Sequence, residues 1–235
     1  MKNTHLWSPP VIALMAMPLV GAWDGPMRQA PQVKIPEAGV PEVMTIEGTY
    51  VRAAYNNEGY AIIGYRLANL SVGEEWMLLE FGATVRDGVG NYRLTRDALS
   101  LETPDAKTIP LAATEDYRTA NLAALQNRAR VSRDPINYFP PGASHACRIG
   151  FFSDLEDRAR AWDQVELSST RGCVGQLFFH VPGGIAHGQH WLNVKFEKSL
   201  VRVPFRILTK DEEKLLSRNY GDIRRQVQDA FKKKN

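Results

Sequence analysis

The chain has 235 residues, with 29 Lys and Arg against 26 Asp and Glu, and a formal net charge of +3 at pH 7. Because charges of both signs are mixed along the chain, composition does not indicate a nucleic-acid-binding protein. With 44% hydrophobic residues, the chain is long enough to bury the core of one large β domain without further staples.

Residues 1–22 have the layout of a secretory signal peptide. Lys2 supplies a positive charge, residues 11–20 form a mostly apolar run without charges, and small residues end at Ala22. A membrane anchor and a buried first helix are the alternatives, but ten residues are too few to span roughly 30 Å of hydrocarbon. We therefore expect an exported protein, periplasmic or extracellular, cleaved after Ala22 and without a transmembrane span once mature.

Residues 23–42 carry four prolines, at positions 26, 31, 36 and 41. Such spacing favours extended chain and does not build a core. The segment is therefore interpreted as a leader or linker, or as a disordered N-terminus.

Residues 43–208 alternate short apolar runs with turn signals, which is typical of an antiparallel β-sandwich. VMTIEGTYVRAAY and YAIIGYRLANL are predicted to pair across a hairpin-like turn at residues 56–59. In the next run, EWMLLEFGATV, five apolar residues share one face at period two; they are Met77, Leu79, Phe81, Ala83 and Val85.

One segment interrupts the strands. Residues 114–130 lack β-branched alternation, so they are predicted to form a single helix of three or four turns that Thr114 caps. Glu115 and Asp116 suit its N-terminus, and Arg128 and Arg130 suit its C-terminus. The prolines in residues 134–146 predict a loop.

The clearest hairpin lies at residues 190–208, HWLNVKFEKSLVRVPFRIL. Leu192, Val194 and Phe196 alternate with polar residues, as expected when one side of an antiparallel sheet lies on a core. Pro204 predicts an edge position or a bulge. In architecture alone, residues 44–208 resemble exported immunoglobulin-like domains, and no short motif makes the resemblance specific.

Cys147 and Cys173 are the only cysteines, and each opens an apolar run that contains Phe-Phe. In an oxidising compartment two cysteines allow a single disulfide, whereas a reactive dithiol usually has the C-x-x-C spacing. We predict the Cys147–Cys173 bond, with two buried free cysteines as the alternative. The immunoglobulin-like resemblance implies a bond between facing sheets.

A C-terminal helix with a basic tail is predicted over residues 209–235. Thr209 and Glu212 have the spacing of a capping box. Five apolar residues then recur at helical steps and form one stripe, a candidate interaction surface: Leu216, Tyr220, Ile223, Val227 and Phe231. We expect the first half to dock on its own domain and the lysine-rich second half to stay mobile.

His187 and His190 are the strongest metal-ligand candidates, with His180 as a third ligand, since zinc needs three or four. If both lie in a strand, however, His187 and His190 point to opposite faces. Asp154, Glu156 and Asp157 are alternative ligands, but they fit a calcium loop only in part. We expect no high-affinity metal site and no cofactor.

No nucleophile elbow, phosphate-binding loop or dinucleotide fingerprint occurs. The sequence therefore favours an exported, non-catalytic interaction or structural module with a protein or envelope-surface partner and no specific nucleic acid. One alternative is a metal-binding protein centred on His187 and His190. Another is a carbohydrate-binding sandwich that uses Trp162, Tyr138 or Trp191, although core packing is expected for Trp191.

Overall fold

The computed structural model describes residues 43–152 and 161–218, all within one compact unit that spans Pro36–Asn235. The signal peptide and linker predicted for residues 1–42 lie outside these residues. So do Asp154, Glu156 and Asp157, as well as the stripe residues Tyr220, Ile223, Val227 and Phe231.

Within the described residues, the chain forms twelve β-strands in three sheets, and the expected mainly β, largely antiparallel fold class is confirmed. A six-stranded sheet has the order β1-β2-β3-β4-β10-β8, a four-stranded sheet the order β12-β11-β6-β7, and β5 pairs with β9. The strands are β1 (Val43–Gly48), β2 (Val51–Tyr55), β3 (Gly59–Gly64), β4 (Trp76–Val85), β5 (Tyr92–Thr95), β6 (Leu99–Glu102), β7 (Thr108–Pro110), β8 (His145–Ile149), β9 (Gln164–Leu167), β10 (Arg171–His180), β11 (Gly188–Lys195) and β12 (Leu200–Ile207).

The helices are short. They are α1 (Arg66–Leu70), α2 (Thr114–Thr119) and α3 (Ala123–Val131), with a 3₁₀ turn at Arg96–Ala98. A fourth helix, α4, covers residues 210–218. No helix among the described residues is long and apolar enough to cross a membrane.

The six-stranded and four-stranded sheets share one apolar core. Fully buried residues of β4 and β10, such as Leu79 and Leu177, belong to the same cluster as Leu192 and Val203 of β11 and β12. The sheets also meet closely at Gly59, where an added Cβ would lie 2.1 Å from the Phe196 ring. The alternation predicted for β11 and β12 therefore points their apolar residues into this core.

The six-stranded sheet is also covered on its outer face, which the sequence did not predict. The ring of Phe178 lies 4.8 Å from that of Tyr117 of α2. Farther along, Phe139 packs so closely over Gly172 that an added Cβ would lie 2.8 Å from its ring. Both faces of β4 are consequently buried. The loop predicted over residues 134–146 is present as far as residue 144, where it covers the sheet, and β8 begins at His145.

The single helix predicted over residues 114–130 is wrong, because the chain breaks into α2 and α3. Ala120 is extended, with φ −75° and ψ 142°, and Ala113 rather than Thr114 occupies the N-cap position. The hydroxyl of Thr119 donates to the carbonyls of Glu115 and Asp116, at 3.0 Å and 3.2 Å. Such back-bonding by a threonine competes with helix continuation.

The first two strand predictions are corrected in the same way. Residues 43–55 form the hairpin β1–β2 rather than one strand, and β3 ends at Gly64, where the chain enters α1. The buried Asp134 carboxylate stabilises this change, because it accepts from the backbone N–H of Arg66 at 2.9 Å and from its Nε at 3.0 Å. The turn at residues 56–59 is confirmed by bonds from the N–H groups of Glu58 and Gly59 to the Asn56 side chain.

The Cys147–Cys173 disulfide is present, but its placement differs from the immunoglobulin-like expectation. The two cysteines are direct partners in the parallel pair β8–β10, so the bond lies within one sheet instead of joining two facing sheets. It ties the edge strand β8 to its neighbour.

The last hairpin and the start of α4 agree with the sequence. Pro204 lies on β12, at the edge of its sheet, where a missing N–H is tolerated. Thr209 and Glu212 form the reciprocal bonds of the capping box, at 2.9 Å and 3.3 Å. Tyr50 donates to Glu213 at 2.6 Å, which attaches the first turn of α4 to the domain. Leu216 is half-buried.

Removal of the disulfide should destabilise the domain without changing its fold. Closing a loop with a sequence separation of 26 is worth about 3–4 kcal/mol in the chain-entropy model. We expect Cys147→Ser to lose that much unfolding free energy in urea, and reduction of the wild-type protein to reproduce the loss. Two alkylatable thiols in freshly exported protein would contradict the bond itself.

The Tyr50–Glu213 contact should hold α4 on the domain. Tyr50→Phe removes only the hydroxyl, so it should cost about 0.5–1.5 kcal/mol and speed hydrogen exchange across residues 213–218. Asp211→Asn is the matched control, because its side chain is almost fully exposed. Equal exchange in both variants would show that the contact does not hold the helix.

Candidate functional site

A groove of about 980 Å³ opens at one end of the four-stranded sheet, and it is the candidate functional site. Its walls are β7 with the preceding turn, residues 180–186 after β10, and the start of α2. The residues that define this groove include Thr103, Asp105, Lys107, Thr108, Ile109, Leu111, Asp116, His180, Val181, Ala186 and His190.

One wall is the free edge of a sheet. β7 is the last strand of its sheet. On its paired side, the Lys107 carbonyl accepts from the Thr103 N–H, and the Leu111 N–H donates to the Leu99 carbonyl. Because bonded positions alternate in an antiparallel pair, the N–H and C=O of Thr108 point to the free edge. The groove therefore offers a short free edge. Among the described residues Thr108 has no backbone partner on this side, and just beyond β7 the Ala112 N–H donates to the Phe178 carbonyl oxygen at 3.0 Å.

The turn before β7 is held by a compact charge cluster. Thr103 donates to the Asp105 carboxylate at 2.6 Å, and Lys107 forms an ion pair with it at 2.6 Å. These bonds from Lys107 and Thr103 hold the pKa of Asp105 at about 2. They also fix Ala106 at φ 61°, a conformation that non-glycine residues seldom adopt.

The opposite wall is a loop packed tightly against the residues after α1. Gly184 has φ 88°, and an added Cβ would lie 2.6 Å from the carbonyl oxygen of Gly73. Backbone bonds of 2.9 Å from Gly73 to Ile185 and from Ile185 to Glu74 complete the contact. This wall is thus anchored rather than free to move over the groove.

His190 lies at the inner end of the groove and is fully buried. Its Nδ1 is 3.1 Å from the carbonyl oxygen of Gly188, and its ring stacks on Phe205 with centroids 5.3 Å apart. Its Nε2 has no hydrogen-bond partner among the described residues. Burial lowers the pKa of His190, so near neutral pH the ring donates from Nδ1 and presents an unpaired acceptor at Nε2.

The three histidines proposed as metal ligands are not in equivalent positions. His180 lines the groove with His190, and its Nε2 is 3.7 Å from the Glu75 carboxylate. His187 is exposed and does not line the groove. In the described part of the chain, no group of three His, Cys, Asp or Glu side chains could hold a metal ion.

The aromatic residues proposed for carbohydrate binding also lie apart from the groove. Trp162 is 57% exposed and Tyr138 is 38% exposed. The predicted core packing of Trp191 is wrong. Its neighbour Leu192 points into the core, so Trp191 points to the opposite face of the strand. There the Arg202 guanidinium lies 4.6 Å from its ring centre. Its face is already used within the protein.

Sequence reasoning found His180 and His190 but missed the groove that they share. The one sequence feature that could have pointed to the groove was the turn at Pro104-Asp105, whose polar residues flank a short strand. Nothing local connects that turn with residues 180–186, which lie more than seventy positions later. No known family model, curated protein or solved structure matches the chain.

The buried His190 should make stability depend on pH. Its folded pKa lies below the unfolded value of about 6.5, so its contribution is complete above that pH and is lost as pH falls through the folded pKa. We expect wild-type protein to lose more unfolding free energy between pH 7.5 and pH 5 than His190→Phe. His187→Phe, changed at an exposed histidine, should follow wild type. Parallel curves for all three proteins would exclude a role for His190.

Proposed function

We propose that the protein is an exported, non-catalytic interaction module of the cell envelope or extracellular space, and that it binds part of a protein partner in the groove beside β7. The observation that carries this proposal is the exposed edge strand β7 beside a largely apolar groove. Edge strands present backbone N–H and C=O groups with which an extended segment of a partner can pair.

Export is part of the proposal. Its support is the signal-peptide layout of residues 1–22 together with the Cys147–Cys173 bond. Disulfides persist in oxidising, non-cytoplasmic compartments. An immunoglobulin-like sandwich is the architecture that we associate with such a module, and the core shared by two sheets supports it.

The groove suits binding better than catalysis. Neither ring nitrogen of His190 bonds a hydroxyl among the described residues. The hydroxyl of Thr103 and the carboxylate of Asp105 are engaged in closing their own turn. By contrast, Ile109, Leu111 and Val181 supply apolar contact area, and the edge of β7 supplies backbone groups. An extended segment that carries an apolar side chain and a hydrogen-bond donor fits this lining.

Site-specific photo-crosslinking tests the proposal in native envelope preparations. A photoreactive residue at Ala186, exposed in the groove wall, should capture a defined protein that mass spectrometry can identify. The matched position is Leu200, which is also exposed but lies on the edge strand β12. We expect adducts at Ala186 alone.

A second crosslinking experiment uses a variant in which the groove is filled. Thr108→Trp adds bulk at an exposed groove position and should abolish the Ala186 adduct while leaving the melting temperature unchanged. Capture at Leu200 of the same protein, or an Ala186 adduct that survives Thr108→Trp, would refute binding in the groove.

A further inference from the structure

A second cavity, here called the arginine cleft, lies on the outer face of the six-stranded sheet and shares no lining residue with the groove. It has a volume of about 500 Å³ and opens between β8 and the end of α3. Its polar lining residues include Glu80, Gln176, Gln126, Asp134, Arg130, Arg133 and Arg148.

The floor of the arginine cleft is a cross-strand polar pair. Glu80 of β4 and Gln176 of β10 are direct partners, and the Gln176 amide donates to the Glu80 carboxylate at 3.0 Å. Burial raises the pKa of Glu80, and the Gln176 bond opposes that rise. One carboxylate oxygen and the amide oxygen of Gln176 remain as acceptors, so the floor is suited to hydroxyl donors.

The rim of the cleft concentrates positive charge. Arg130 comes from α3, Arg133 follows that helix, and Arg148 comes from β8; all three are exposed. Arg133 and Arg148 form no hydrogen bond or ion pair with any described residue. Arg133 makes no ion pair with Glu80, although its charge lowers the pKa of that carboxyl. A bound anion would offset the mutual repulsion of Arg133 and Arg148.

Several other arginines of the fold are paired with carboxylates. Arg66 pairs with Asp134 at 3.0 Å, Arg128 with Glu74 at 2.5 Å, and Arg206 with Glu212 at 2.6 Å. The contrast with these pairs marks Arg133 and Arg148 as side chains available to an external anion. The planar guanidinium is suited to carboxylate and phosphate oxygens.

An aromatic wall completes the cleft. Phe152, Phe178 and Tyr117 pack against one another with ring centroids 4.8–5.0 Å apart. Gln126 donates to the Tyr117 hydroxyl at 2.6 Å and helps to hold that ring. The wall offers apolar contact between a polar floor and a cationic rim.

We propose that the arginine cleft binds an acidic sugar, with the sugar carboxylate or phosphate at Arg133 and Arg148 and its hydroxyls on Glu80 and Gln176. The order of charge from rim to floor sets this orientation, since the Glu80 carboxylate would repel an anion at the floor. A neutral sugar would leave the rim unsatisfied, and a simple anion would leave the floor unused. The cavity volume lies within the range of small-ligand sites.

Calorimetric titration of the purified protein with glucuronate, glucose 6-phosphate, glucose and inorganic phosphate tests this site. We expect both acidic sugars to bind at low salt and to weaken as salt screens the rim. Glucose and inorganic phosphate should each bind about tenfold or more weakly. Arg133→Gln and Arg148→Gln should each cost about tenfold or more, the scale of one charge-assisted hydrogen bond.

Matched variants separate rim from floor. Arg93→Gln makes the same charge change at an exposed position of β5 and should leave binding unchanged. Gln176→Met should weaken the acidic sugars while sparing the weak binding of inorganic phosphate. Thr108→Trp, which fills the groove, should have no effect on sugar binding, so failure of one site is distinguishable from failure of the other.

Four outcomes overturn the proposal. Binding of glucose as tight as that of glucuronate would show that the rim does not select an anion. Binding of inorganic phosphate as tight as that of glucose 6-phosphate would show that Glu80 and Gln176 do not contribute to recognition. An N-acetyl amino acid that binds more tightly than glucuronate would assign the cleft to a peptide carboxylate. Absence of binding by all probes would exclude an acidic-sugar site.

Discussion

Burial of both faces of the β4–β10 pair is the constraint on which the rest of the structure depends. The two strands pair over eight successive positions, from Cys173 opposite Ala83 to His180 opposite Trp76. Their inner side chains meet the four-stranded sheet, and outer side chains such as Phe178 meet the helices. Strands desolvated on both sides need every backbone group paired and a second layer on each face, which explains why α2, α3 and residues 132–144 pack where they do.

The same pair positions both cavities. β10 ends at His180, where the chain enters the loop that walls the groove. Four residues earlier, Gln176 lies opposite Glu80 and forms the floor of the arginine cleft. The disulfide ties β8 to β10 one residue away from Arg148, so the covalent link and the cationic rim lie on the same edge of the sheet. Rigid strands hold the polar groups of both sites, and this limits the ordering cost of binding.

Some charged side chains of this fold are engaged in structural ion pairs, whereas others are available to a ligand. Asp134 is buried and compensated by Arg66, and it closes the junction between β3 and α1 at Gly64, where an added Cβ would lie 2.6 Å from the Asp134 side chain. Exposed ion pairs such as Arg206–Glu212 contribute little stability on their own, but they engage carboxylates. Arg133 and Arg148 remain without such partners among the described residues, next to a carboxylate already bonded to Gln176.

The sequence by itself determined the local features of this protein. Alternation in β11 and β12, the Asn56 turn, the edge position of Pro204 and the Thr209–Glu212 cap follow from period, turn chemistry and short-range hydrogen bonds. The disulfide partners were decided by cysteine count.

Only the tertiary structure decided the parallel β8–β10 pairing, the covered outer face, the burial of His190 and the two cavities. The reason is distance along the chain: Glu80 and Gln176 are separated by 96 residues, and neither has a local pattern that marks it as part of a site. Contacts of that separation depend on which surfaces can be buried together, and hydrophobic periodicity carries no information about that choice.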